Sequence, residues 1–234
     1  MACAGCLFIV HPSQAQQGLG PFADFAEAEH FLAETYKAVM NSVPAEMREK
    51  LRASQRAWIK FKELDFVAQR SELKRREDES NEDESREEGL ICFFHYAASE
   101  TAARERQLRA FRNTAENADD VTVEQAAADR ELTNTYQQCQ SKLDPEIFSK
   151  LREAQRAWIA FRDLDLRVNP ARTRQASLLL IRQRTKQLRA YLETSERLRA
   201  AKIEVAAAGV DQPEKENVED KPDLTLPDIF ERVR

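Results

Sequence analysis

The chain has 234 residues, of which 42% are hydrophobic and 33% charged, so it holds enough apolar material for a buried core. Its 5 glycines and 8 prolines are too few for collagen-like or turn-rich β architectures. A net charge of −5 argues against a general nucleic-acid binder. No apolar run approaches the roughly 18 residues of a membrane-spanning helix, so no transmembrane helix is expected.

Residues 1–22 are predicted to be either a truncated signal peptide or a disordered segment. A short apolar run over residues 3–10 is followed by Ser13-Gln14-Ala15, which offers small residues for signal cleavage. No Lys or Arg precedes the apolar run, although a signal peptide usually begins with positive charge. Either the start codon is assigned too far downstream or this segment is not a signal peptide, and the first interpretation is favoured.

Two segments that lie 100 positions apart are closely similar. Residues 51–65 read LRASQRAWIKFKELD and residues 151–165 read LREAQRAWIAFRDLD, so ten of fifteen positions are identical. Tyr36 and Tyr136 have the same offset. Similarity of this kind at a fixed offset indicates an internal repeat.

The offset changes further along the chain. Residues 107–111 match residues 187–191 at an offset of 80, so the first copy contains twenty residues that the second lacks. We therefore predict two tandem helical repeats, the first over residues 23–115 and the second over residues 120–208.

The first copy is predicted to form three helices. The first spans residues 25–41, and Pro44 then marks a break. Apolar and signature residues of the second helix recur at steps of three and four, which is helical spacing. They are Met47, Leu51, Ser54, Trp58, Phe61 and Asp65. The third helix is expected over residues 90–112.

An acidic segment over residues 77–88 falls where the second copy has a gap, which predicts an insertion in a loop. Its eight acids are Glu77, Asp78, Glu79, Glu82, Asp83, Glu84, Glu87 and Glu88. Because like charges at helical spacing repel, the segment should be mobile or form a solvated, imperfect helix. The alternative interpretation is an electrostatic contact for a basic partner.

The second copy repeats the pattern, with a first helix over residues 123–142. Asp144-Pro145 is a favourable helix start, since an acid caps the helix and proline occupies its first position. Asn169-Pro170 ends that helix, and residues 171–208 supply the last, as the partner in a tight antiparallel hairpin. Residues 209–234 are charged and poor in apolar residues, and are predicted to be a disordered tail.

The signature side chains of the two copies are interpreted mainly as structural. They are Tyr36, Gln55, Arg56, Trp58, Phe61, Arg104, Tyr136, Gln155, Arg156, Trp158, Phe161 and Arg184. Both tryptophans are expected to be buried within their own three-helix unit. The Gln-Arg pairs before them could bond across helices or face a partner. Buried ion pairs are expected between Arg104 and Asp65 and between Arg184 and Asp165.

Nothing in the sequence points to catalysis. The three histidines are scattered, no Gly-rich phosphate loop occurs, and the cysteines lack zinc-ligand spacing beyond one Cys-x-x-Cys. We therefore expect a protein that is not an enzyme, without cofactor or metal.

The repeated Leu-Arg-x-x-Gln-Arg-Ala-Trp-Ile-x-Phe run resembles the LprI-like lysozyme-inhibitor family. An upstream Leu-x-x-x-Tyr and a downstream Arg-x-x-x-Leu fit the same pattern in both copies. The resemblance implies a small exported bacterial helical domain, which in some members binds and inhibits lysozyme. It also implies a disulfide, but the cysteine positions hold Phe66 and Tyr96 in one copy, and Leu166 and Ala176 in the other. An apolar contact is expected to replace each cross-link.

The resemblance predicts a periplasmic or secreted protein whose partner is a lysozyme, and a basic lysozyme would suit the acidic segment. The alternative is a cytoplasmic or envelope scaffold that uses its paired repeats as an adaptor.

Overall fold

The computed structural model describes residues 20–80, 83–111, 122–168 and 173–207. Residues 1–19 of the predicted N-terminal segment and the predicted tail over residues 209–234 lie outside the described residues, whereas residues 21–22 already belong to the first helix. Six helices occupy the described ranges: α1 (Pro21–Ser42), α2 (Ala45–Ser80), α3 (Asp83–Ala110), α4 (Thr122–Lys142), α5 (Pro145–Val168) and α6 (Thr173–Ala207). These ranges contain no strand, which confirms the predicted all-α fold with three helices in each copy.

The start of α5 follows the chemistry that its sequence predicts. The Asp144 carboxylate accepts a hydrogen bond from the backbone N–H of Glu146 at 2.8 Å. Pro145 occupies the first helical position, where no intrahelical N–H is needed. In the first copy, Pro44 stands at the position of Asp144 and directly precedes α2, which begins at Ala45.

Helices α2 and α5, which carry the tryptophans, pack against each other along their length. Three contacts mark the interface: Ser54 Oγ to Asp165 Oδ1 at 2.5 Å, Phe61 stacked on Phe161 with ring centroids 6.3 Å apart, and Lys150 Nζ to Ser71 Oγ at 2.9 Å. Residue numbers rise along one helix as they fall along the other, so the pair is antiparallel. Because equivalent phenylalanines meet, an approximate two-fold axis relates the copies at this stack.

The first helix of each copy packs on the third, as α1 on α3 and α4 on α6. One large apolar cluster joins both copies and contains Trp58 and Trp158, which are 4% and 2% exposed. The predicted burial of both tryptophans is therefore confirmed. The expectation that each lies in a core of its own unit is wrong, because the α2–α5 contact merges the two cores.

A smaller aromatic cluster belongs to the first copy alone. Phe66 and Tyr96 meet edge to face within it, with ring centroids 6.0 Å apart, so the predicted contact at the missing cross-link is confirmed. Phe25 of α1 also packs on Phe66, at 6.3 Å between ring centroids. The corresponding contact between Leu166 and Ala176 stays a prediction.

The sequence leaves the acidic insertion as either a mobile loop or an imperfect helix, and the backbone that the structure describes there is helical. Helix α2 continues to Ser80 and α3 begins at Asp83, so most of residues 77–88 have a helical backbone. The extra residues lengthen two helices, because this stretch lacks proline and its base buries Leu73 and Phe93 at 6% and 1% exposure. The acidic side chains themselves lie outside the described residues.

Candidate functional site

Two buried ion pairs cross from one copy to the other. Arg104 Nη1 lies 2.8 Å from Asp165 Oδ1, and Arg184 Nη1 lies 2.8 Å from Asp65 Oδ1. All four side chains are at most 5% exposed. The predicted pairing within each copy is therefore wrong. The antiparallel contact of α2 with α5 instead places each aspartate beside the third helix of the other copy.

The signature glutamine and phenylalanine hold these arginines in place. Arg104 Nε donates to Gln55 Oε1 at 3.1 Å, and its guanidinium carbon lies 4.9 Å from the ring centroid of Phe161. Around Arg184, the equivalent distances are 2.8 Å to Gln155 and 5.1 Å to the ring of Phe61. The motif thus serves mainly to fix a buried guanidinium, since a charge inside a protein needs a partner and hydrogen bonds.

The two networks differ at the position of Ser54. Arg104 Nη2 donates to Ser54 Oγ at 3.0 Å, and that hydroxyl donates to Asp165 at 2.5 Å. The second copy has Ala154 in place of the serine. Arg184 Nη2 accordingly has no hydrogen-bond partner among the described side chains. One buried donor in the second network is therefore unsatisfied, which is costly.

Two separate substitutions, Ser54→Ala and Ala154→Ser, should change the free energy of unfolding in opposite directions. Ser54→Ala should destabilise the protein by about 1–3 kcal/mol, because Arg104 Nη2 loses its acceptor while buried. Ala154→Ser offers Arg184 the missing acceptor and should stabilise by about 0.5–1.5 kcal/mol. Urea denaturation of both variants measures the two changes, and a destabilising Ala154→Ser would contradict the assignment.

Asp65 has partners that Asp165 lacks. The hydroxyl of Tyr96 donates to one of its carboxylate oxygens, and Tyr191 donates to its backbone carbonyl at 3.1 Å. Burial raises the pKa of both tyrosines well above the usual value, with the Asp65 charge adding to the effect. Both phenols therefore stay protonated as donors at neutral pH.

Glu100 links α3 to α6 beside this network. Its carboxylate accepts hydrogen bonds from Gln187 and from Gln183 Nε2, the latter at 2.9 Å. Burial, and then the nearby negative charge of Asp65, raise the pKa of Glu100 to about 7. The folded protein thus holds this carboxyl partly protonated at neutral pH.

A raised carboxyl pKa in the folded state makes the protein less stable as pH increases. The contribution of Glu100 should be fully present below the unfolded pKa and lost as pH rises through about 7. Glu100→Gln stays neutral, so it should match the original chain near pH 4.5 and exceed it at pH 8. Urea melts across that range test this, and parallel pH profiles for the two proteins would contradict it.

A second face of the repeated segment lies outside the core. Arg52, Arg56 and Ile59 are exposed on α2, and Arg152, Arg156 and Ile159 are exposed on α5. We call these two sets the arginine stripes. Of the alternatives left open for the Gln-Arg pairs, each glutamine bonds across helices whereas each arginine faces outward.

Two features of the described residues concern metal binding and nucleophilic chemistry. They include no group of three His, Cys, Asp or Glu side chains that could hold a metal ion. Burial raises the pKa of the Cys139 thiol to about 12, so this sulfur is protonated at neutral pH and a poor nucleophile. No described helix is long and apolar enough to cross a membrane.

A sequence profile described as lysozyme inhibitor LprI matches residues 22–108 and again residues 110–205. The chain belongs to the LprI lysozyme-inhibitor family. The double match confirms that two family copies stand in tandem. Searches of curated proteins and of solved structures each gave no match. In both LprI copies of this chain, the motif over residues 51–65 and 151–165 has two parts. The buried part contributes to the crossed networks, and the exposed part forms the arginine stripes.

Proposed function

We propose that the protein is exported and inhibits lysozyme-type muramidases by binding them, without catalysis of its own. The observation that carries the proposal is the match of the lysozyme-inhibitor profile to both copies. The buried ion pairs and the stacked phenylalanines support it, because a well-packed core favours the same surface before and after binding.

The direct test adds the purified protein to a c-type lysozyme that is lysing bacterial cell walls. We expect the lysis rate to fall as the protein is titrated in. A chain with Asp65→Asn and Trp158→Ala serves as a control for folding, since both changes disturb the shared core. A lysis rate unchanged by the folded protein would refute inhibition.

The acidic residues of 77–88 should guide association with a basic lysozyme. Eight acids in this segment would attract a positive surface at long range, which raises the association rate more than it slows dissociation. Replacing all eight with Gln or Asn should lower the on-rate and flatten its salt dependence, while the helical backbone is kept.

Stopped-flow binding at low and moderate salt measures this effect. An unchanged on-rate and salt slope would make the segment irrelevant to association. The second copy, which lacks the segment, indicates that folding does not need its charges.

A scaffold or adaptor is the second candidate function. It is favoured by the approximate two-fold symmetry, because two equivalent stripes could hold two partner molecules. Two results would favour the adaptor. Lysozyme could bind without losing its lytic activity, or the protein could bind another envelope protein but no lysozyme.

A further inference from the structure

We propose that each arginine stripe is a separate contact site for a carboxylate-bearing cleft, so that one chain binds two lysozyme molecules. This inference rests on the proposed function and names the surface that performs it.

The first argument compares the copies with each other. Between residues 51–65 and 151–165, ten positions are identical. Seven of them are buried or half-buried in both copies, so packing accounts for them. The other three are the arginine stripe, which is exposed in both copies, with Ile59 and Ile159 at 39% and 41%. Core packing does not explain why these three side chains are identical in both copies. A contact role that both copies share does explain it.

The second argument is the placement of the stripes. Their members are spaced by four and three residues, which aligns them on one helix face. Ile59 lies two residues from Phe61, or about 200° around the helix, and Phe61 faces α5. The stripe on α2 therefore faces away from α5, and the two-fold axis makes the stripe on α5 face away from α2. Two partners could bind on opposite flanks without meeting.

The third argument is chemical. Arg56, Arg152 and Arg156 are exposed, and none of them forms an ion pair with a side chain that the structure describes. Arg52 pairs with Glu49 at the exposed surface, an interaction worth little and readily exchanged. Guanidinium groups bind carboxylates with two parallel hydrogen bonds, and arginine is enriched at binding hot spots. Glycoside hydrolases of the lysozyme type place two carboxylates in their cleft, which gives these arginines their complement.

The test uses three full-length variants and a matched control. Arg52→Gln/Arg56→Gln removes the first stripe's charges, Arg152→Gln/Arg156→Gln removes the second's, and the third variant combines all four changes. The control Arg106→Gln/Arg130→Gln removes two exposed charges from other helices. All of these positions are exposed, so thermal melts should coincide. Titration calorimetry with a c-type lysozyme gives affinity and stoichiometry, and the cell-wall assay gives inhibition.

We expect two lysozymes per original chain and one for each variant that lacks the charges of a single stripe. The variant with all four changes should bind and inhibit at least tenfold more weakly. The control should behave as the original chain. If the original chain neither binds nor inhibits lysozyme, the proposed function fails and the inference fails with it. If the original chain inhibits and the fourfold variant inhibits equally, the arginine stripes are refuted while the proposed function stands. A single lysozyme per original chain refutes the two-site arrangement.

Discussion

Asp65→Asn should lower the free energy of unfolding by about 3–5 kcal/mol, because it removes one partner of a buried ion pair. Arg184 would keep its charge while fully buried, and one of its nitrogens already has no hydrogen-bond partner among the described side chains. The phenol of Tyr96 would also face a weaker acceptor. Urea denaturation at pH 7 measures the loss.

A pair of double-mutant cycles would show which arginine depends on Asp65. Combining Asp65→Asn with Arg184→Met should give a coupling energy well above 0.5 kcal/mol, since the two side chains are in contact. Combining it with Arg104→Met should be closer to additive, because that arginine pairs with Asp165. A larger coupling energy with Arg104 would indicate that Asp65 pairs with Arg104, within one copy.

Trp158→Ala should cost about 3–5 kcal/mol, the range for truncating a buried aromatic side chain. Trp158 is 2% exposed in the cluster that joins the two copies. The chain has only two tryptophans, so the variant retains Trp58 as the sole fluorescent indole and a reporter of the first copy. Because the core is shared, the transition of Trp58 should shift together with the loss of helical circular dichroism.

Phe31→Ala is the matched control for this experiment. Phe31 is also aromatic and on a helix, but it is 51% exposed, so its loss should cost much less. A Trp158→Ala variant in which Trp58 unfolds at the original urea concentration would mean that the copies fold independently.

The sequence predicts most of the secondary structure because the residues that start and end helices act locally. Pro44, Asp144 and Pro145 mark helix starts through their own backbone and capping chemistry, and the structure has helices beginning there. For the acidic segment the charge pattern leaves a loop and a helix equally open, and the buried side chains of Leu73 and Phe93 at its base favour the helix that the structure shows.

Long-range pairing is harder to predict from a repeat. When both copies carry the same arginine and aspartate, pairing within a copy and pairing between copies satisfy the sequence equally. The choice depends on how α2 meets α5, which is a property of the assembled core. The exposed and buried parts of the motif are likewise interleaved along one segment, so only the burial of each position separates Arg56 from Gln55.

The stack of Phe61 on Phe161 has a consequence for how such a chain can change over generations. In a homodimer of single repeats, every substitution near the axis would appear twice and alter both halves of the core at once. Joining the repeats in one gene lets each half vary alone. Ser54 has Ala154 as its equivalent in the second copy, and Tyr96 has Ala176, and a symmetric pair could not hold such differences. Fusion thus allows one half to specialise while the other keeps the core intact.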